Sequence, residues 1–267
     1  MSIRVNNISK NYGSQKALNN VSFEVGSSEI VGFLGPNGAG KSTMMKILTC
    51  YIPPSNGQAS VCGFDVATQS LDVRKQIGYL PEHNPLYLDM YVKEFLAFTG
   101  SIYKLKNTKQ RVADMIHITG LSLEQNKKIG ALSKGYRQRV GLAQAMIHDP
   151  KVLIMDEPTT GLDPNQLEEI RTLIKSLGKQ KTVMLSTHIM QEVEAICDRV
   201  IIINKGEIVA NDQTGSLRRN STRQIITVEF DKPVNQNLLE TINGIDAVKN
   251  TGGNTWQLSS SSDGDPR

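Results

Sequence analysis

Nine residues, GPNGAGKST at 35–43, constrain this chain more than any other stretch. They fit the spacing G-x-x-x-x-G-K-[ST] and stand between an apolar run, EIVGFL at 29–34, and a helix-forming run, MMKILTCYI at 44–52. The local order is therefore strand, glycine-rich turn, helix. Glycines let the backbone turn tightly enough for successive N–H groups to converge on one anion. The positive end of the following helix aims at the same point. Within that turn Lys41 is expected at the β- and γ-phosphates of a nucleotide, with the Ser42 hydroxyl on a magnesium ion.

A second apolar run, VLIMDE at 152–157, ends in two carboxylates. A strand end at the top of a parallel sheet sits beside such a turn. Asp156 can then orient the metal or its water shell. Glu157, one residue on, is expected on the other side, where it can polarise an attacking water. Alone, the pair reads equally as an acidic helix start after a strand. Beside the phosphate-binding turn it indicates nucleoside triphosphate hydrolysis.

The rest of the chain supplies the frame. Residues 1–30 read as two paired strands with a turn at Gly13–Ser14. From 85 to 150 apolar residues recur at three- and four-residue spacing, the mark of helices. ALSKGYRQRVGLAQAMIHDP has a helix start signal at Ser133 and a stop before Pro150. Strands and helices then alternate: KVLIMDEP, QLEEIRTLIKSL, KTVMLSTH, EVEAIC, and a hairpin RVIIINKGEIVA turning at Lys205–Gly206. That alternation predicts an α/β fold with a parallel core sheet and an antiparallel edge layer from the early strands. After a polar, basic linker, RQIITVEF, VNQNLLETI and AVKN-TGGN-TWQL form a β-α-β-β string. The expected division is 1–214 for the main domain, with a helical part at about 85–150, and 217–267 for a small appendage. Because the appendage lacks a last helix, the natural chain is expected to continue past Arg267 or the SSSSDGDPR tail to be disordered.

Composition closes off several function classes. No apolar run approaches the roughly 20 residues of a bilayer span. The start, MSIRVNNISK, has no signal-peptide core. The cysteines, Cys50, Cys62 and Cys197, are scattered, as in reduced cytosolic proteins. With a net charge of only +4, the basic clusters 104–109 and 217–223 read as solvated faces, and no nucleic acid is expected.

The order GPNGAGKST, LSKGYRQR, VLIMDEP, GLDP, STH resembles the ATP-binding cassette family, over residues 1 to about 212. Within it, the LSKGYRQR and YLPE variants resemble ATPase subunits of ABC-2-type exporters, gliding-motility ATPase subunits among them. The resemblance implies a P-loop NTPase fold with an ABC-type core sheet, a β edge layer and a helical subdomain. It implies that Tyr12 stacks on adenine, although a strand aromatic in the core explains Tyr12 as well. It implies that Gly35, Pro36, Asn37, Gly38, Ala39, Gly40, Lys41, Ser42 and Thr43 wrap the phosphates of ATP. Ser42, Glu82 and Asp156 would hold Mg²⁺. Ser133, Lys134, Gly135 and Tyr136 would reach the γ-phosphate of ATP on a second nucleotide-binding subunit, in a homodimer. Gly161 and Asp163 would lie across that dimer interface. His188 would contact the γ-phosphate and couple to Glu157, both catalytic.

Two departures from the family pattern stand out. The usual LSGGQ reads LSKGY here, so Lys134 and Tyr136 replace a Gly and the Gln. Glu82 stands where Gln is usual, and its charge can tighten Mg²⁺ binding or raise the barrier to hydrolysis. The resemblance also implies a separate transmembrane permease subunit, docked near Glu82 and 85–105. The chain would then be cytoplasmic, peripheral on the inner membrane face. A cassette ATPase acting on ribosomes or DNA is the alternative, but no second cassette or long coiled-coil insertion is visible. NKGE at 204–207 nearly matches the guanine-reading N-K-x-D, yet it ends in Glu and reads better as a β-turn.

Overall fold

The computed structural model describes residues 1–215, 224–242 and 244–260. The linker at 216–223 and the tail after 260 lie outside the described residues. The chain divides into two units, Met1–Asp212 and Gln213–Arg267.

The first unit holds two sheets. One is antiparallel, in the order β2-β1-β4-β5, from β1 (Ile3–Tyr12), β2 (Gln15–Val25), β4 (Asn56–Val61) and β5 (Phe64–Asp65). The other has six strands in the order β10-β9-β3-β8-β7-β6. Its members are β3 (Ile30–Leu34), β6 (Ile77–Leu80), β7 (Val152–Asp156), β8 (Thr182–Thr187), β9 (Arg199–Asn204) and β10 (Glu207–Gln213). From β9 to β6 neighbouring strands run parallel. β3, β7 and β8 are almost wholly buried, as central parallel strands covered on both faces must be, and their polar side chains, Asp156, Thr182, Ser186 and Thr187, stand at the strand ends.

Helix α1 (Lys41–Leu48) supplies the joint between the sheets. Met44, Met45, Ile47 and Leu48 are fully buried in a core shared with Val5, Ile8 and Phe23 of the antiparallel sheet and Phe33 and Ile154 of the parallel one. Truncating a side chain such as Phe33 to Ala in so dense a core costs about 3–5 kcal/mol. The turn before α1 is thereby held between two sheets, which makes it rigid. Gly40 caps that helix with φ of 110°, and a Cβ there would lie 2.7 Å from the Ala17 carbonyl, so only glycine fits.

A helical group follows: α3 (Val92–Ile102), α4 (Thr108–Ile118) and α5 (Lys134–Met146), packed on one another. α2 (Ser70–Gln76) leads into β6, α6 (Pro164–Gly178) joins β7 to β8, and α7 (Met190–Ile196) joins β8 to β9.

Among its described residues the second unit shows a three-stranded sheet, β11-β13-β12, and a short helix. β11 (Gln224–Glu229), α8 (Gln236–Glu240), β12 (Ala247–Gly252) and β13 (Thr255–Ser260) enclose Leu239, Trp256 and Leu258. β12 takes up Gly252, so the hairpin turns at Gly253–Asn254, one residue later than the glycine pair suggests.

Candidate active site

The glycine-rich loop leaves β3 at Leu34 and enters α1 at Lys41. Lys41 is only 5% exposed. Its Nζ donates to the carbonyls of Gly35 at 2.7 Å and Pro36 at 3.2 Å. The same Nζ lies 3.5 Å from Glu157 Oε1. A buried ammonium thus stands at the loop with a carboxylate facing it, the arrangement a polyphosphate chain can enter.

The end of β7 provides that carboxylate. Asp156 is the last strand residue and is buried, and its Oδ1 accepts a hydrogen bond from Ser186 Oγ at 2.5 Å. Glu157 does not continue the strand to the opposite face, as strict alternation predicts. Its φ is +50°, left-handed backbone that costs a non-glycine residue about 1–2 kcal/mol. Ser186 holds it there: the Glu157 N–H donates to Ser186 Oγ at 3.0 Å and Ser186 O at 3.2 Å. Strain of this kind gathers at functional sites. The side chain then meets His188 Nδ1 at 3.0 Å and accepts from Thr160 Oγ1 at 3.2 Å, both on Oε2. Burial, chiefly, and then the nearby Asp156 hold the Tyr79 phenol well above its ordinary pKa.

Above the loop opens a cavity of about 850 Å³. Its walls come from the β1–β2 turn (Tyr12, Gln15, Lys16, Ala17), from Asn37, Gly38, Gly40, Lys41, Ser42 and Thr43, and from Glu82 after β6. Glu157 and Thr160 after β7, His188 after β8 and Lys205 after β9 complete them. Tyr12, the loop, Glu82, Glu157 and His188 therefore share one space. Gly35 and Pro36 touch it only through Lys41, Ala39 is buried, and Asp156 lies behind the wall. Ser186, Thr160, Gln15, Lys16 and Lys205 had not been singled out as site residues. For Ser186 a signal existed, since it opens the STH motif. Ser42, Glu82 and Asp156 offer only oxygen donors, the set that suits magnesium.

A second cluster forms elsewhere on the surface. Ser133 caps α5, accepting from the Tyr136 N–H at 3.4 Å, and Asp163 caps α6, accepting from the Gln166 N–H at 2.9 Å. Gln166 Nε2 also donates to Ser133 Oγ at 3.4 Å. The Lys134 ammonium lies against Gly161, and the Tyr136 ring lies 5.6 Å from the Arg139 guanidinium. Ser133, Lys134, Gly135, Tyr136, Gly161 and Asp163 are thus brought together, yet none lines the cavity of its own chain. Gln138 Nε2 ties α5 to the segment after β7, donating to Pro158 O at 2.9 Å.

Comparison with known proteins identifies the family. A family model described as ABC transporter matches residues 18–160. The chain is similar to the ABC transporter ATP-binding protein NatA of Bacillus subtilis, 41% identical over 219 residues, 80% of this chain and 89% of that protein. It is also similar to Nod factor export ATP-binding protein I of Burkholderia orbicola, 37% identical over 210 residues, 76% of this chain and 68% of that protein. The dimeric ATP-binding cassette MJ0796, solved in a post-hydrolysis state bound to ADP and Pi, matches with a TM-score of 0.72 and 26% identity, over 79% of this chain and 98% of that one. The chain belongs to the ABC transporter family, as an ATP-binding subunit with ATPase activity.

Proposed function

We propose that this chain binds Mg·ATP above the phosphate loop, hydrolyses it with Glu157 as general base, and drives export through a separate transmembrane subunit. The meeting of Lys41, Glu157 and His188 at one wall of the cavity carries this reading. Adenine stacks on Tyr12, and residues 35–43 take the phosphates. Ser42 and Glu82, with Asp156 through the water shell, would hold magnesium, which neutralises charge on the phosphates. Glu157 takes a proton from water, and His188 keeps the carboxylate turned toward it. The water oxygen bonds to the γ-phosphorus as the bond to the bridging oxygen breaks, leaving ADP and phosphate.

The separation of the second cluster from the cavity, with the dimeric state of MJ0796, supports use of that cluster in trans. Two copies then pair head to tail. Each lends Ser133–Tyr136 to the γ-phosphate held by the other, with Gly161 and Asp163 at the seam. ATP joins the copies and hydrolysis releases them. An apolar groove of about 420 Å³ beside Glu82, walled by Tyr51, Tyr87, Phe98 and Ile102, supports docking of the permease. No helix among the described residues is long and apolar enough to cross a membrane. Docked on that permease, the chain works peripherally, on the inner face of the membrane. The word export in the Nod factor relative's name supports outward transport. The LSKGYRQR and YLPE variants support the finer likeness to gliding-motility ATPase subunits.

Affinity purification of the tagged chain from detergent-solubilised membranes of its own host tests this. A membrane-spanning polypeptide should copurify, and its presence should stimulate phosphate release. A chain found only in the soluble fraction, with no such partner, overturns the transport reading.

A further inference from the structure

A two-residue turn closes β9 onto β10, and its first residue departs from the pattern of such turns. Lys205 has φ of 48° and Gly206 φ of 80°, the left-handed pair that a tight hairpin requires. Asn, Asp or Gly normally fills the first place, because their backbones tolerate it. Here Asn204 stands one position too early and a lysine takes the strained place. A residue held against its backbone preference invites a functional explanation.

The turn is pinned on both sides. The Gly206 N–H donates to Ala39 O of the phosphate loop at 2.9 Å, and the Gly206 carbonyl accepts from the Asn19 N–H at 2.8 Å. A Cβ on Gly206 would lie 2.8 Å from Ala17 O, so the turn sits tight against the β1–β2 hairpin. Glu207 takes the Asn19 side-chain amide, which ties the far side of the turn to the β1–β2 hairpin as well. Lys205 remains as a wall of the cavity. The cavity's other lysines are engaged: Lys41 with the loop carbonyls and Lys16 with Asn19 Oδ1 at 2.8 Å. No hydrogen bond or ion pair joins the Lys205 ammonium to another described residue.

Sheet order fixes the side from which Lys205 approaches. β9 flanks β3 on one edge, while β8 and β7 lie on the other. Lys205 follows β9, whereas His188 and Glu157 follow β8 and β7. The lysine thus faces the phosphate loop from the side opposite the hydrolytic pair. With the terminal phosphate at Glu157 and the base on Tyr12, the phosphates nearer the ribose fall to Lys205.

We infer that Lys205 is a nucleotide-binding residue, whose ammonium engages the α- and β-phosphate oxygens shared by ATP and ADP. This rests on the cavity being the nucleotide site. The test is Lys205→Asn in the full chain, which gives the turn its favoured residue and removes the charge. Binding of fluorescent ATP, ADP and adenosine analogues is titrated, and thermal unfolding is followed without nucleotide. Lys41→Ala is measured in parallel. The expected result is an unfolding temperature equal to or above that of the wild type, with ATP and ADP each bound about tenfold more weakly and adenosine unchanged. Unchanged ATP and ADP affinity in Lys205→Asn, where Lys41→Ala loses both, overturns this inference alone. A loss for ATP without a loss for ADP overturns the α/β assignment. Normal binding by Lys41→Ala overturns the cavity reading beneath it.

Discussion

His188 Nδ1 lies 3.0 Å from Glu157 Oε2, so the ring and the carboxylate are joined before any nucleotide enters. Glu157 is 7% exposed and His188 is more open, which places the histidine between solvent and the buried acid. A hydrogen bond to a charged group is worth about 1.5–3 kcal/mol. If it holds the carboxylate in its working orientation, His188→Ala should slow phosphate release roughly 10- to 100-fold. ATP affinity should change little, because the loop is untouched. Steady-state turnover with parallel equilibrium binding decides it. Normal turnover in the variant would assign the orientation to Thr160 alone.

Lys41→Ala is expected to remove most ATP binding. The variant also leaves Glu157 buried without its cation, a repulsive charge facing any incoming phosphate. Titration with a fluorescent ATP analogue measures the loss. Wild-type affinity would sink the phosphate-loop assignment.

How much of this could be read beforehand depended on the kind of constraint each residue obeys. The phosphate loop was legible because its chemistry dictates both residue type and spacing. Ser133 was legible as a helix cap because that role needs only one hydroxyl at one position. Ser186 was legible only as the first residue of the STH motif; its work of holding Asp156 and the Glu157 N–H across neighbouring strands is announced by no spacing. The left-handed turn at Glu157 was hidden for the same reason. The stretch from β4 to α2 carried little pattern: NGQASV buries only Ala59 and Val61, and α2 buries only Val73. Those elements are set by the sheets they join, and tertiary context overrides their weak local signal.

Stability should fall in mild acid through His148. Its Nε2 bonds to Ile77 O at 3.0 Å and its ring stacks on Tyr103 at 3.9 Å between centroids. Burial, chiefly, holds its pKa below the ordinary 6.5, with Arg111 and Lys181 adding to the shift and the Ile77 bond and Asp149 opposing it. A histidine depressed in the folded state binds its proton more readily when unfolded. Its neutral form is therefore favourable above pH 6.5, and stability declines as pH falls through 6.5 toward the folded value. His148→Gln cannot titrate, so urea midpoints should vary less with pH in that window. An identical slope in the variant would remove His148 as the cause.

The second unit has its own small core around Trp256 and Leu258, and none of its described residues lines the cavity. A chain ending at Thr214 should fold and hydrolyse ATP at a rate near that of the full chain. Circular dichroism and phosphate release test this. A folded but inactive truncation would give the second unit a part in the dimeric site.

Glu157→Gln separates hydrolysis from assembly. The amide keeps the size of the side chain and one acceptor oxygen for Thr160 and His188, but it loses the ion pair with Lys41 and cannot accept the proton of the attacking water. A positioned base contributes typically about 10²–10⁴-fold, so turnover should fall by at least about 10². ATP should still bind, because Lys41 and Ser42 are intact, and one negative charge facing the phosphates is gone. A site that closes with Ser133–Tyr136 of a second copy cannot reopen while its ATP persists. The variant should therefore accumulate as a dimer with Mg·ATP and return to monomer when nucleotide is removed. Size-exclusion chromatography with and without Mg·ATP reads this directly. A variant that still hydrolyses at the wild-type rate would move the base to Glu82, the other carboxylate on the cavity wall. A dead variant that stays monomeric with ATP bound would keep Glu157 as the base and overturn pairing by two copies of this chain.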